Sequence, residues 1–275
     1  MRRLFIPIAV MTLAAYAQPG GANGLGKPIE IDGESGAEIY VLGADERPAD
    51  NIYGEQPYGD ATGRRIAIRY YPLPNKSGGI NILDLQDGSN HEILSGKPPF
   101  PAFHAWGEWL YYAQAVEGKK MLRRCNYLTL EVENVTELPP DRGDYSYGTV
   151  SPDYRFFSTG SDATTKGNIW SGKVGDEKPT LVHEGKRFGH VSVSRDGKYW
   201  IGDTGEKGVP IYIGSFATGR CKRACFSRTE YDGKQWSHAH PYVTADNKWL
   251  VFGARRNAHA QAHGAKLKDG WLETL

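Results

Sequence analysis

Four of the eight histidines in this sequence stand at or just before the start of a short aromatic segment. His104 precedes "AWGEWLYY", His190 precedes "VSVSRDGKYW", and His238 and His240 precede "PYVTADNKWLVFG". Two further segments of the same kind are preceded by Gln56 and Tyr58, and by Tyr145 and Tyr147. An imidazole titrates near neutral pH and a phenol can donate a proton, so both suit general acid–base work. A single histidine in such a place commonly serves a structural hydrogen bond. A set of histidines and tyrosines at equivalent positions of a repeat points instead to a shared site.

A second group has metal-ligand chemistry. His190, the pair Cys221 and Cys225 in "GRCKRAC", and His240 or His238 in "SHAHP" offer the soft and borderline donors that zinc prefers. Two thiolates and two imidazoles would fill a tetrahedron, which makes such a zinc structural. The alternatives for the cysteines are a Cys221–Cys225 disulfide or two free thiols. A third group, "GARRNAHAQAHG" at 253–264, alternates His259, Gln261 and His263 along one strand face. A metal site or an anionic-sugar surface would suit these three, and a polar outer face is the simpler reading of His259 and His263.

The elements that must position these side chains are strands. Five segments share a plan of tight turn followed by aromatic strand: "GDATGRRIAIRYY", "AWGEWLYYA", "SPDYRFFSTG", "SRDGKYWIG" and "TADNKWLVFG". Asp-Gly, Asp-Asn and Pro-Asp occupy the turns, as a hairpin requires. Each is followed by a further strand and turn, with a period of about 45 residues, which suits one four-stranded propeller blade. The expected fold is therefore an all-β propeller, with a β-sandwich as the alternative. The segment "AEIYVLGADERP" reads as a partial blade ahead of the first, and no closing strand is evident before Leu275. In a propeller, the residue leading into each innermost strand faces the central funnel, which is where the histidines and tyrosines fall.

Composition agrees. Thirty-four glycines with 16 Tyr, 9 Phe and 7 Trp favour a turn-rich β protein. A formal net charge of +1 supplies no field for nucleic acid. Local basic groups such as Arg64, Arg65 and Arg69 read as solvated surface. "MRRLFIPIAVMTLAAYA" has the charged start, short apolar run and small-residue end of a secretory signal peptide, so residues 1–17 are expected to be removed and 18–275 to form the exported propeller, secreted or periplasmic. No other segment is apolar enough to span a membrane. An odd number of cysteines, Cys125 being the third, gives no disulfide framework.

The unit "GHVSVSRDGKYWIGDT…PIYIGSFATGRC" followed by "SHAHPYVTADNKWLVFGARRN" resembles the propeller polysaccharide lyases, in general plan the oligogalacturonate lyases and more closely the short-form ulvan lyases of polysaccharide lyase family 24. The resemblance implies a seven-bladed plan, here shortened. It implies a monomer acting by β-elimination on ulvan, a sulfated polysaccharide, between rhamnose 3-sulfate and a glucuronic or iduronic acid. It implies His104 as catalytic base or acid, His91 as a second catalytic histidine, and Tyr147 as the catalytic tyrosine with Tyr145 beside it. Arg64, Arg155 or Arg256 would neutralise the carboxylate. His190, Cys221, Cys225 and His240 would hold the structural zinc, with calcium, manganese or another divalent cation as an additional participant. Two alternatives of different kind are an oligogalacturonate lyase and a non-catalytic propeller that binds a partner in the cell envelope.

Overall fold

The repeated turn closes a hairpin in the same way each time. At Ser194 the hydroxyl and the Lys198 amide donate to Asp196 at 2.6 and 3.1 Å, and Gly197 takes a φ of 69°. At Thr244 the hydroxyl and the Lys248 amide donate to Asp246 at 2.6 and 3.2 Å, with Asn247 at φ 59° where the other turn has glycine. Asp60 organises a third copy, accepting from the Thr62 hydroxyl at 2.5 Å and the Arg65 amide at 2.9 Å, with Gly63 at φ 77°. Short polar side chains that bond the nearby backbone, followed by a residue that tolerates positive φ, make these segments turn.

The computed structural model describes residues 25–43, 46–52, 57–96, 103–104, 107–137, 155–160, 167–172, 177, 180–231 and 237–275, with 103–104, 155–160 and 167–168 described by backbone alone. The described strands form five antiparallel sheets. The first contains β3 (Ala49–Asp50), β4 (Arg65–Tyr70), β5 (Gly79–Asp84) and β6 (Asn90–Ser95). The second contains β7 (Phe103–His104), β8 (Trp109–Val116), β9 (Lys119–Asn126) and β10 (Val132–Glu137). The third is β11 (Arg155–Gly160), β12 (Gly167–Gly172) and β13 (Thr180–Glu184). The fourth is β14 (Val191–Val193), β15 (Tyr199–Asp203), β16 (Pro210–Ser215) and β17 (Cys221–Phe226). The fifth joins the two ends of the chain. Its strands β18 (Tyr242–Val243), β19 (Trp249–Ala254) and β20 (Gln261–Lys266) are continued by β2 (Glu38–Leu42) and β1 (Glu30–Ile31).

This is a β-propeller, with five sheets described against the seven of the expected family plan. The segment from Ala37 makes no partial blade of its own. It runs antiparallel to β20, with Ile39 opposite Ala265 and Val41 opposite His263, and so supplies the strand that "no closing strand" left missing.

Packing explains the strand compositions. Middle strands lie between neighbouring sheets and are buried throughout, as in "GINILD" of β5 and "WLVFGA" of β19. Outermost strands face water and turn polar, as in "VENVTE" of β10. Ile201, Ile211 and Ile213 of the fourth sheet meet Val243, Leu250 and Phe252 of the fifth. Leu42 and Val251 of the fifth meet Ile66, Ile68 and Leu83 of the first. Ile80 and Ile82 of the first meet Leu110 and Tyr112 of the second, and Ile169 of the third meets Phe188 and Trp200 of the fourth. Among the described residues no helix is long and apolar enough to cross a membrane. The expected leader, 1–17, lies outside the described residues.

Candidate metal centre

Hairpin register decides which side chains meet. Val191 pairs with Gly202 across the Ser194 turn, so His190 faces Asp203. The Asp203 amide donates to the His190 carbonyl at 3.3 Å, and the Gly189 amide to the Asp203 carbonyl at 2.9 Å. Gly189 matters because a Cβ there would lie 2.9 Å from Asp203 Oδ1. Without it, the carboxylate swings under the backbone, accepts from the His190 amide at 2.8 Å, and meets His190 Nδ1 at 2.9 Å through its other oxygen.

His238 and His240 arrive from the adjacent fifth sheet, on the segment leading into β18. The Gly253 amide donates to the Ala239 carbonyl at 2.8 Å, and a Cβ at Gly253 would lie 2.9 Å from the His238 carbonyl oxygen. His240 holds φ at 43°, a costly conformation for a non-glycine residue. The Asn51 side chain, just beyond β3 of the first sheet, fixes that backbone by donating to the His240 carbonyl at 2.6 Å.

The three imidazoles converge. His190 Nε2 and His238 Nδ1 are 3.2 Å apart, the His190 and His240 rings are 4.0 Å apart between centroids, and one ligand nitrogen from each ring lies within 4.8 Å of the others. Metal–nitrogen bonds of about 2.1 Å place cis ligands about 3.0–3.4 Å apart, so the His190–His238 separation fits one shared cation. The Asp203 carboxylate at Nδ1 holds a proton there and aims the Nε2 lone pair into the cluster, as second-shell carboxylates do. His240 is buried beside the other two, and burial foremost, then His190, His238 and Arg69, lowers its pKa to about 2. It is therefore a neutral imidazole, the form that ligates a metal. Three imidazoles suit zinc, copper, iron or nickel, and would leave positions open for water or substrate.

Beneath the cluster lies a buried ion pair. Arg69 of β4 is 1% exposed and grips Asp50 at 2.6 and 3.1 Å, with a further bond to the Ile52 carbonyl at 2.6 Å. The Tyr71 hydroxyl donates to Asp50 at 2.6 Å. Arg69 is thus interior, where the sequence had suggested a solvated basic surface. Asp203, Asn51 and Asp50 were missed by inspection of motifs. Asp203 was findable, because pairing 193 with 200 across the turn puts 190 opposite 203.

The expected four-ligand zinc set does not assemble. Cys221 and Cys225 are free thiols outside the histidine group. A bulge in β17, between the pairs Ile211–Cys225 and Tyr212–Arg223, puts the two cysteines on opposite faces of the sheet. Cys225 packs in the core between the fourth and fifth sheets, where burial raises its pKa. Cys221 turns to the other side, 3.9 Å from His183 Nε2, with its pKa raised by burial to about 11. Neither is poised as a thiolate.

Other expected residues divide. His91 lies on β6, the outermost strand of its sheet, three strands from β3, and so lies away from the funnel. Arg64 is committed to Asp84 at 2.7 Å and Asp87 at 3.2 Å beside an outer turn. Arg256 is half-buried and bonds Glu30 at 2.9 Å and the carbonyls of Ser227 and Phe226 at 2.8 and 3.0 Å. That is a structural commitment in place of a substrate contact. His263 is 1% exposed, donates from Nδ1 to the Gln261 carbonyl at 3.0 Å, stacks on Phe252, and is held neutral with a pKa lowered by burial to about 3. It belongs to the core, apart from the cluster. His104 lies on β7, the innermost strand of the second sheet, opposite Leu110. The equivalent pairs elsewhere are Val193–Trp200 and Val243–Leu250, so His104 sits three residues further along its blade than His190 and His240 do. Arg155 begins β11, and Tyr145 and Tyr147 lie outside the described residues.

No protein-family model matches this chain, and no curated protein matches it significantly. Solved structures do match in fold. An oligogalacturonate lyase in complex with manganese aligns at a TM-score of 0.59 and 13% identity, over 88% of this chain and 96% of that one. An oligogalacturonate lyase from Vibrio parahaemolyticus aligns at 0.59 and 11%, over the same shares. At such identity the likeness speaks for the fold, and it agrees with the propeller topology of the five sheets.

Proposed function

We propose that this protein is a polysaccharide lyase that opens uronate-containing glycans by β-elimination, using a divalent cation held by His190, His238 and His240. The observation that carries this reading is the convergence of the three imidazoles, with Asp203 behind one of them, in a propeller whose fold neighbours include a manganese-bound oligogalacturonate lyase. A cation there would neutralise the uronate carboxylate and so acidify the adjacent C5 proton.

The reaction removes that proton, breaks the C4–O4 bond, forms the C4–C5 double bond, and returns a proton to O4. His240, kept neutral by burial, stays a ligand across the working pH range. Asp203 fixes the tautomer of His190. Proton transfer falls to His104, on an innermost strand, and to Tyr147, while His91 stands on the outermost strand of its sheet, away from the cluster. The substrate is ulvan on the resemblance of residues 189–221 and 237–257, or oligogalacturonate on the likeness of fold. Export after residue 17, with 18–275 as the working unit, belongs to the same proposal.

The test is absorbance of the unsaturated uronic product when manganese- or zinc-loaded protein is incubated with ulvan and, separately, with polygalacturonate. Product from either establishes the reaction and selects the glycan. No product from either, from protein with an intact β-type circular dichroism spectrum, would leave the non-catalytic binding propeller. Turnover that survives His104→Ala removes His104 from the mechanism.

A further inference from the structure

At the rim of the histidine cluster stands an aromatic ring that the fold does not use. Tyr231 is 63% exposed, the most exposed large apolar side chain among the described residues. A single exposed aromatic is ordinary on a protein surface. This one is distinguished by where it stands and how it is held. Its ring meets the His238 ring at 4.7 Å between centroids, edge to face at 70°. In that arrangement at least one face of the tyrosine is turned away from the histidine.

The backbone leading into Tyr231 is fixed at each of the three residues before it. The chain leaves β17 through Arg228, which adopts φ 54° while its guanidinium grips Glu30 at 2.7 Å and its amide donates to the Gly208 carbonyl at 2.8 Å. The Thr229 hydroxyl donates to the Ser237 carbonyl at 2.7 Å, tying the start of this segment to the residue before His238. The Glu230 amide donates to the Arg255 carbonyl at 2.7 Å. An exposed ring carried on a backbone held this firmly, and in the left-handed region at Arg228, loses little freedom when a ligand lies on it.

We propose that Tyr231 is the platform for a pyranose ring, the one adjoining the uronate whose carboxylate meets the histidine cluster. This rests on the polysaccharide reading above. A pyranose carries C–H groups on its face and hydroxyls at its edge. The electron-rich face of tyrosine attracts the former, and its hydroxyl can bond the latter. Contact with His238 sets the platform one ring's breadth from the metal ligands, so the sugar it holds is the immediate neighbour of the reacting one. Tyr231 thus selects for a chain extending past the scissile bond, and it touches substrate without taking part in proton transfer.

The experiment uses the full chain loaded with manganese and whichever of polygalacturonate or ulvan the wild type cleaves. Tyr231→Ala should raise KM about tenfold, the effect of losing roughly one ring's apolar contact, with a much smaller change in kcat. Tyr231→Trp should restore KM, since it keeps a flat face. Val135→Ala, which trims an exposed side chain on outermost β10, serves as the control for general surface effects. Manganese affinity measured by calorimetry should be the same in Tyr231→Ala and wild type. An unchanged KM in Tyr231→Ala, or a KM loss matched by lost manganese affinity, overturns the platform while the lyase reading stands. The latter result would make Tyr231 a wall for His238. A wild type that neither binds nor cleaves either glycan overturns both.

Discussion

Chemistry at the residue scale rests on how few side chains fix the imidazoles. Asp203 is buried and divides its carboxylate between the His190 amide and His190 Nδ1. Asp203→Asn preserves shape but removes the charge that holds the Nδ1 proton, so metal affinity should fall about 10- to 100-fold. Calorimetric titration with manganese and zinc measures this, and an affinity equal to wild type would show that Asp203 does not act on the metal. His190, His238 and His240 were legible in the sequence because the position before an innermost strand is set by the turn that follows it. Asp203 was less legible because it lies in no motif and reaches His190 only through hairpin register. Arg69 was misread as surface, because nothing in "GRRIAIRYY" separates an arginine that pairs with Asp50 inside the fold from one in water. Arg64 and Arg256 show the converse, charged groups that ion pairs already occupy.

At the scale of elements, strand grammar was read well and strand irregularity was not. The turn-plus-aromatic phrase is the hairpin between the innermost and second strands, as the Ser194 and Thr244 turns show. The two turns even join, Asn247 donating to Asp196 at 3.0 Å. The Cys221–Cys225 spacing of four would place both thiols on one face of a regular strand. The bulge in β17 breaks that regularity, and bulges leave little trace in a sequence. Close packing within the same sheet supplies a test. Trp200 of β15 is fully buried and lies over Gly214 of β16, where a Cβ would fall 2.1 Å from its ring. The indole is also packed against Phe188, 4.8 Å away, so it has little room to withdraw. Gly214→Ala should destabilise the protein by about 1–3 kcal/mol or more through overpacking. Chemical denaturation would show this as a lower midpoint, and a midpoint equal to wild type would mean that the indole moves freely.

For the whole molecule, the central question is how five sheets are held as one propeller. The sequence revealed the repeat but not its closure, because β2 and β20 are joined by register alone across nearly the whole chain. The N-terminal segment does more than complete the fifth sheet. Glu30 bonds Arg228 at 2.7 Å, Asp32 bonds Arg223 at 2.7 Å, and the Ser35 hydroxyl donates to the Ala224 carbonyl at 2.5 Å, all on or just beyond β17 of the fourth sheet, while Glu30 also bonds Arg256, just beyond β19 of the fifth, at 2.9 Å. Burial raises both carboxyl pKa values, but the Ser35 and Glu34 amides and then Arg223 bring that of Asp32 below its ordinary range, and Arg228 and Arg256 do the same for Glu30. One segment therefore closes the fifth sheet and clamps it to the fourth, the two sheets that carry His190, His238 and His240. A chain starting at Glu46, without β1 and β2, would expose the full edge of β20 and leave Ile39 and Leu42 missing from two apolar layers. Open edges recruit strands from other copies. The shortened protein should therefore self-associate in a concentration-dependent way by light scattering and lose its single cooperative unfolding transition. It should also lose manganese affinity, although none of its ligands is altered. A monomer of wild-type stability would show instead that the remaining strands suffice to hold the ring and that the N-terminal segment is an accessory.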